Sequence, residues 1–171
     1  TNGHYFEQRA RQWIESLMKS LVERFGHVSF PALRRTINMI ESDHGGWADQ
    51  LEAMLPSSMD DVRRNAAEML TKQADVPKEF SGVMGTIYAS LGFLDDPALL
   101  ASLENPHMSL ADLATSPRPV SVFMNVPIEF IGLWSPLLRV MFTVAMLYKA
   151  RHPQAPRITM ITDEAGQMGR F

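Results

Sequence analysis

Apolar residues recur at helical spacing through the first two-thirds of the chain. In YFEQRARQWIESLMKSLVERF they fall at Tyr5, Phe6, Ala10, Trp13, Ile14, Leu17, Met18, Leu21, Val22 and Phe25. That spacing is one broad apolar face of a helix, and Gly26 is placed to stop it. SFPALRRTINMI predicts a second helix with Ser29 as N-cap and Pro31 in its first turn. GGWADQLEAML predicts a short helix ended by Pro56. SSMDDVRRNAAEMLTKQ opens with Ser58 followed three residues later by Asp61, the spacing of a capping box. A further helix is predicted from about Lys78 to Leu94. Its three glycines, Gly82, Gly85 and Gly92, disfavour helix and so predict either close helix packing or a break. DDPALLASLE and SLADLAT predict short terminal helices or turns.

The pattern changes at TSPRPVSVFMNVP. Pro117 and Pro119 mark a linker. VSVFMNV is β-branched, aromatic and nearly all apolar, which predicts a strand buried on both faces and ended by Pro127. SPLLRVMFTVAMLYKARH predicts a helix with Ser135 as cap, Pro136 at its first position and basic residues in its last turn. It is apolar nearly all round, as a well-buried helix is. After Pro153 and Pro156, RITMITDE predicts a second buried strand. Strand, helix and strand with this connection length predict a βαβ unit with parallel strands. The fold class expected is therefore α+β overall: a mainly α-helical domain over residues 1–116, then a βαβ piece over 117–171. Two strands alone leave their edges exposed, so the second part reads as a piece of a larger parallel sheet.

Charge and composition sharpen this division. The net charge is −3, which by itself does not predict nucleic-acid binding. Up to Ser116 there are 10 Lys+Arg against 16 Asp+Glu, and from Pro117 onward 6 against 3. The acidic part is a poor phosphate surface and a better partner for basic protein segments. There is no cysteine, which excludes disulfides and thiolate metal sites and suits a reducing compartment. TNGHYFEQRARQ is too polar for a signal peptide, and LLRVMFTVAMLY, interrupted by Arg139, is too short to span a bilayer; the chain is expected to be soluble. Twelve Met residues suit an adaptable core or a pliable surface.

The candidate chemistry lies at RITMITDEAGQMGRF. Ligands of open α/β sheets bind beyond the carboxyl ends of the strands. Asp163 and Glu164 stand at that end of the second predicted strand. Apolar or Thr positions followed by Asp-Glu form the Walker B pattern of P-loop ATPases, in which the Asp holds Mg²⁺ and the Glu orients or deprotonates the attacking water. The competing reading is an acid that merely caps the next turn. G-x-x-x-x-G-K-[ST], which cradles the phosphates, does not occur, so the chain as given is not expected to build a complete nucleotide site. His4, His27, His44, His107 and His152 lack metal-ligand spacing. Asp60-Asp61 and Asp95-Asp96 suit helix starts. The doublets Arg34-Arg35 and Arg63-Arg64 read as solvated faces rather than DNA contacts, and Trp13, Trp47 and Trp134 as core or helix-interface residues.

In order along the chain, GVMGTIYASLGFLDDP, SLADLATSPRPVSVFMNVP, WSPLLRVMF and TDEAGQMGRF, together with YFEQRARQWIESLM near the start, resemble the TraG/TraD-like coupling proteins of conjugative type IV secretion. The resemblance covers essentially the whole chain. Ala165 departs from the aromatic the family commonly carries after Asp-Glu. The resemblance implies a RecA-like ATPase motor with an all-α domain inserted between the P-loop and the Walker B strand. The motor is anchored by transmembrane helices at the cytoplasmic face of the bacterial inner membrane and works as a hexamer. Residues 1–116 would match the all-α substrate-recognition domain and 117–171 part of the motor. Asp163 would be the Mg²⁺ acid, Glu164 the catalytic acid and Gln167 a phosphate-sensing residue. ATP and Mg²⁺ are the cofactors implied for the full-length protein, with none expected on this piece alone. The implied partners are relaxase and relaxosome proteins or secreted effectors, secretion-channel components and, in the hexamer, DNA; membrane contact would come through N-terminal helices. Two other readings fit the same residues: a non-enzymatic helical protein-binding module, or a piece of another RecA-like DNA translocase.

Overall fold

The structure, a computed structural model, describes residues 2–104, 106, 108–116, 118–163 and 166. The chain divides into two units, Thr1–Glu104 and Asn105–Phe171.

The first unit is a helical bundle. Its elements are α1 (Asn2–Phe25), α2 (Phe30–Ser42), α3 (His44–Met54), α4 (Asp60–Asp75), α5 (Pro77–Leu91), a 3₁₀ turn (Gly92–Asp95) and α6 (Pro97–Glu104). α1 packs on α4 and α5, α3 bridges α2 and α4, and α6 rests on α2 and the 3₁₀ turn. The apolar face read along α1 is real: Ala10, Trp13, Leu17 and Leu21 are buried. They meet Val62, Ala66 and Met69 of α4 and Phe80, Val83, Met84 and Ile87 of α5 in one core. Trp13 and Trp47 are fully buried. α1 stops where predicted. Gly26 has φ +78°, and its N–H bonds to the carbonyl of Val22 at 2.8 Å. Ser29 caps α2 by accepting from the Ala32 N–H at 3.2 Å. The three glycines of the α5 region divide. A Cβ on Gly82 would lie 2.7 Å from the Phe6 ring, so α1 and α5 approach closely there, while Gly85 and Gly92 face open space.

Two predicted caps are not formed. The capping box at Ser58 is absent: Met59 is the N-cap of α4, and Ser58 bonds instead to Glu23 of α1. The cap predicted at Ser135 is replaced by a longer helix that begins at Ile131 and carries Pro136 inside it. Pro136 supplies no N–H for the carbonyl of Gly132, and the Ser135 hydroxyl donates to that carbonyl at 3.0 Å.

The second unit corrects the expected fold class. The prediction was α+β, with buried strands at VSVFMNV and RITMITDE. Among the described residues there is no strand and no sheet. The unit holds α7 (Asp112–Thr115), a 3₁₀ turn (Ile128–Phe130) and α8 (Ile131–Arg151). Residues 119–127 and 156–162 are irregular. No backbone bond joins the two segments. Nor are they buried on both faces. Val122, Met124 and Val126 are half-buried in alternation with exposed Ser121, Phe123 and Asn125, and Ile161 is 89% exposed. The physical reason lies in what a strand needs. A buried parallel strand is held by ladder partners on its edges, and two segments alone cannot satisfy each other. Apolar, β-branched composition marks a segment that could join a sheet, but it does not supply a pairing partner.

α8 also differs from expectation in length and burial. The stretch Ile128–Arg151 contains an 18-residue window of mean hydropathy 1.7 and is long and apolar enough to cross a membrane, although core helices of soluble proteins meet the same measure. Leu137, Leu138 and Ala145 are buried, while Leu133, Val140, Val144, Met146 and Leu147 are exposed.

Candidate functional site

The residues singled out for chemistry fall in the second unit. Asp163 follows the irregular segment 156–162 and is exposed. It lies on the wall of a cavity of about 1100 Å³ inside this unit. One side of that cavity is the segment Val120–Ile128. Arg157–Asp163 also lines the cavity, as do Leu138, Met141, Phe142 and Ala145 of α8. The lining is mainly apolar, with Ser121, Asn125, Thr159, Thr162 and Asp163 as its oxygen-bearing side chains. Thus the two apolar segments line one cavity without forming a ladder.

Glu164 and Gln167, the predicted catalytic acid and phosphate sensor, lie outside the described residues, as does Ala165. Asp163 is therefore the one predicted site residue whose place the structure gives. Among the described residues no three His, Asp or Glu side chains converge on a point that could hold a metal. The donors present fit Mg²⁺ in kind. Mg²⁺ takes oxygen ligands and binds through one or two carboxylates plus phosphate oxygens and water. Asp163 offers one such carboxylate on the cavity wall, and phosphate and water would have to complete the set.

A second cavity, polar and about 440 Å³, lies in the first unit between α1 and α4. Arg9, Gln12, Glu15, Asp61, Arg64, Asn65 and Glu68 line it. Its charges are satisfied locally. Arg9 pairs with Glu68 at 3.2 Å, Lys19 with Asp61 at 2.6 Å and with Glu15 at 2.7 Å, and Arg64 with Asp60 at 2.9 Å. The Lys19 hydrogen bond holds the Asp61 carboxyl below its ordinary value.

The other candidates resolve mostly as structural. Asp60 and Asp61 sit in the first turn of α4, and Asp96 caps α6 by accepting from the Ala98 N–H at 2.8 Å. Arg63 and Arg64 pair with Asp60. Arg35 is exposed, as a solvated face requires, but Arg34 is not. Arg34 is 9% exposed and pairs with Asp95, while Arg35 pairs with Glu104 at 2.9 Å. Their partners lie 61 and 69 residues away, so no local sequence signal could have shown them.

The helical unit, the family-like order of segments and the Asp-Glu terminus point to one class of protein, a component of conjugative secretion. The family described as type IV secretory system conjugative DNA transfer matches residues 3–171, and the chain belongs to that family. Comparison with curated proteins and with solved structures finds no match.

Proposed function

We propose that this chain is part of an ATP-dependent coupling protein that brings transfer substrates to a type IV secretion channel. In this reading residues 1–116 recognise the substrate and 117–171 contribute to a nucleotide site. The observation that carries it is the family match over residues 3–171, with Asp163-Glu164 as the acidic pair at its end. The substrates would be relaxase-DNA complexes or secreted effectors, and the protein would work as a hexamer at the cytoplasmic face of the inner membrane. The acidic balance of the first part suits basic protein segments better than phosphate.

Bound Mg²⁺ would offset charge on the phosphates of ATP. Asp163 would hold that ion through its carboxylate, and Glu164 would orient the attacking water and accept its proton. Gln167 would contact phosphate. In the full-length protein, Glu164→Gln should keep nucleotide affinity within about twofold and lower the hydrolysis rate by a factor of about 10² or more. Equilibrium binding of a labelled nucleotide and phosphate release measure the two separately. Undiminished turnover in that variant would remove Glu164 from the mechanism. Residues 1–171 alone should show no Glu164-dependent hydrolysis, since they contain no phosphate-cradling G-x-x-x-x-G-K-[ST].

A further inference from the structure

The last two elements of the helical unit are fastened to α2 in an unusual way. Arg34 and Arg35 are adjacent on α2, and each holds a different element. Arg34 pairs with Asp95 at the end of the 3₁₀ turn, and Arg35 with Glu104 at the end of α6. Apolar anchorage is limited. In α6 only Leu99 is buried, and in the turn Phe93 and Leu94, with Phe93 edge-on to Phe30 of α2. An eight-residue helix with one buried side chain has little stability of its own.

The closed arrangement also carries an internal cost. The Arg34 guanidinium lies over the Tyr88 ring at 5.4 Å and bonds to Asp95 through Nη2. Its Nε and Nη1 are buried and have no hydrogen-bond partner among the described residues. Buried donors without partners oppose the state that buries them. Detaching the turn and α6 would return that guanidinium to water. The same arginine therefore supplies an ion pair that closes the contact and a desolvated charge that favours opening it.

We propose that residues 92–104 are a detachable strap, closed on α2 by the Arg34–Asp95 and Arg35–Glu104 pairs and held near balance by the desolvation of Arg34. When open, it frees these residues and lengthens the connection from α5 to the second unit. α1, α3, α4 and α5 keep their shared core in both states.

Hydrogen exchange on the 1–171 chain, read by peptide, tests this. In wild type, 93–104 should exchange faster as NaCl rises from about 0.05 to about 0.5 M, with 60–91 unchanged, because screening weakens exposed pairs first. Arg35→Glu, which repels Glu104, should speed exchange of 97–104 by about fivefold. Asp95→Asn leaves the buried guanidinium unpaired and should speed 93–104 by about tenfold or more. Arg34→Met removes the pair and the desolvated charge together and should slow 93–104 by about tenfold. A merely structural ion pair would make Arg34→Met behave like Asp95→Asn. If Arg34→Met speeds exchange or leaves it unchanged, or if salt leaves 93–104 unchanged, the strap is overturned. The salt series needs no variant, so an unchanged 93–104 overturns the strap even where a substitution unfolds the unit.

Discussion

Lys72 gathers three helices of the first unit through one ammonium group. It bonds to Glu79 of α5, to the Tyr5 hydroxyl of α1 at 3.0 Å and to Glu68 on its own helix at 3.4 Å, and Tyr5 donates to Glu79. Burial works to lower the Lys72 pKa, but the bonds to Glu79 and Tyr5 outweigh it and the net direction is up. The Lys72 bond, then the Tyr5 bond, hold Glu79 below the ordinary carboxylate range. Asp61 is lowered by Lys19, and Glu23 by the Ser57 and Ser58 hydroxyls. For the carboxylates the folded value lies below the unfolded one. Their contribution is full above about pH 4–5 and is lost as pH falls through the folded values. For Lys72 and Lys19 the folded value is raised, so their contribution is full below about pH 10 and fades as pH climbs beyond it. Urea unfolding followed by circular dichroism should give a stability plateau between about pH 5 and 10. Asp61→Asn should lower the plateau and reduce the loss between pH 5 and 3. An equal acid loss in the variant would mean that Asp61 is not among the groups responsible. At this scale the sequence shows burial better than pairing. Trp13 and Trp47 were legible from their apolar periodicity, whereas Arg34 needed a partner 61 residues away to become visible as a buried charge.

Helices are legible to the extent that their signals are local. Ser29 and Pro31 define the start of α2 within three residues, and the structure forms the cap they predict. Ser58 carries the same kind of signal at the start of α4, but Glu23 approaches from α1 and takes both the Ser58 N–H, at 2.8 Å, and its hydroxyl. A tertiary acceptor with full charge outcompetes a local cap. The two serines should therefore respond differently. Ser29→Ala should cost about 1 kcal/mol of unfolding free energy, and its effect should add to that of Glu23→Gln. Ser58→Ala should be non-additive with Glu23→Gln by about 0.5 kcal/mol or more in a double-mutant cycle. Additivity of the second pair would show that Glu23 does not hold Ser58 in solution. Gly46 belongs to the same scale. It stands where a Cβ would lie 2.5 Å from an Asp43 carboxylate oxygen, and Asp43 caps α3 by accepting from the Gly46 N–H. The candidate site residues Asp163, Glu164 and Gln167 stand in the sequence only as a pattern. Asp163 lies on a cavity wall as an acid ending an apolar segment would, but the segment before it is not a strand.

Two units with unequal cores make up the whole chain. Of the 24 buried apolar residues among those described, 20 lie in residues 1–104 and the other four are Ala114, Leu137, Leu138 and Ala145. The difference explains why the helical part was legible and the rest was not. A helix closes its backbone bonds within itself, so apolar period and caps suffice to place it. A buried strand depends on neighbours that its own residues do not specify, so VSVFMNV and RITMITDE announce apolar segments without fixing a sheet. The imbalance also has a consequence for autonomy. The first unit buries the apolar faces of α1 to α5 and satisfies most of its charges internally. The second leaves large side chains such as Phe123, Ile128 and Ile161 exposed around a mainly apolar cavity, and Leu147 exposed on α8. Exposed apolar surface on that scale favours association over a cooperative monomer. Residues 1–104 produced alone should be monomeric and unfold in urea as a single transition, with a midpoint within about 10–15% of that of the 1–171 chain. Residues 105–171 alone should bind an apolar dye and melt without a sharp transition. Circular dichroism, dye fluorescence and sedimentation measure all three properties. Aggregation or broad melting of 1–104 would show that its core depends on the second unit, and a sharp transition in 105–171 would show that α8 and its two flanking segments form a core that their exposure does not suggest.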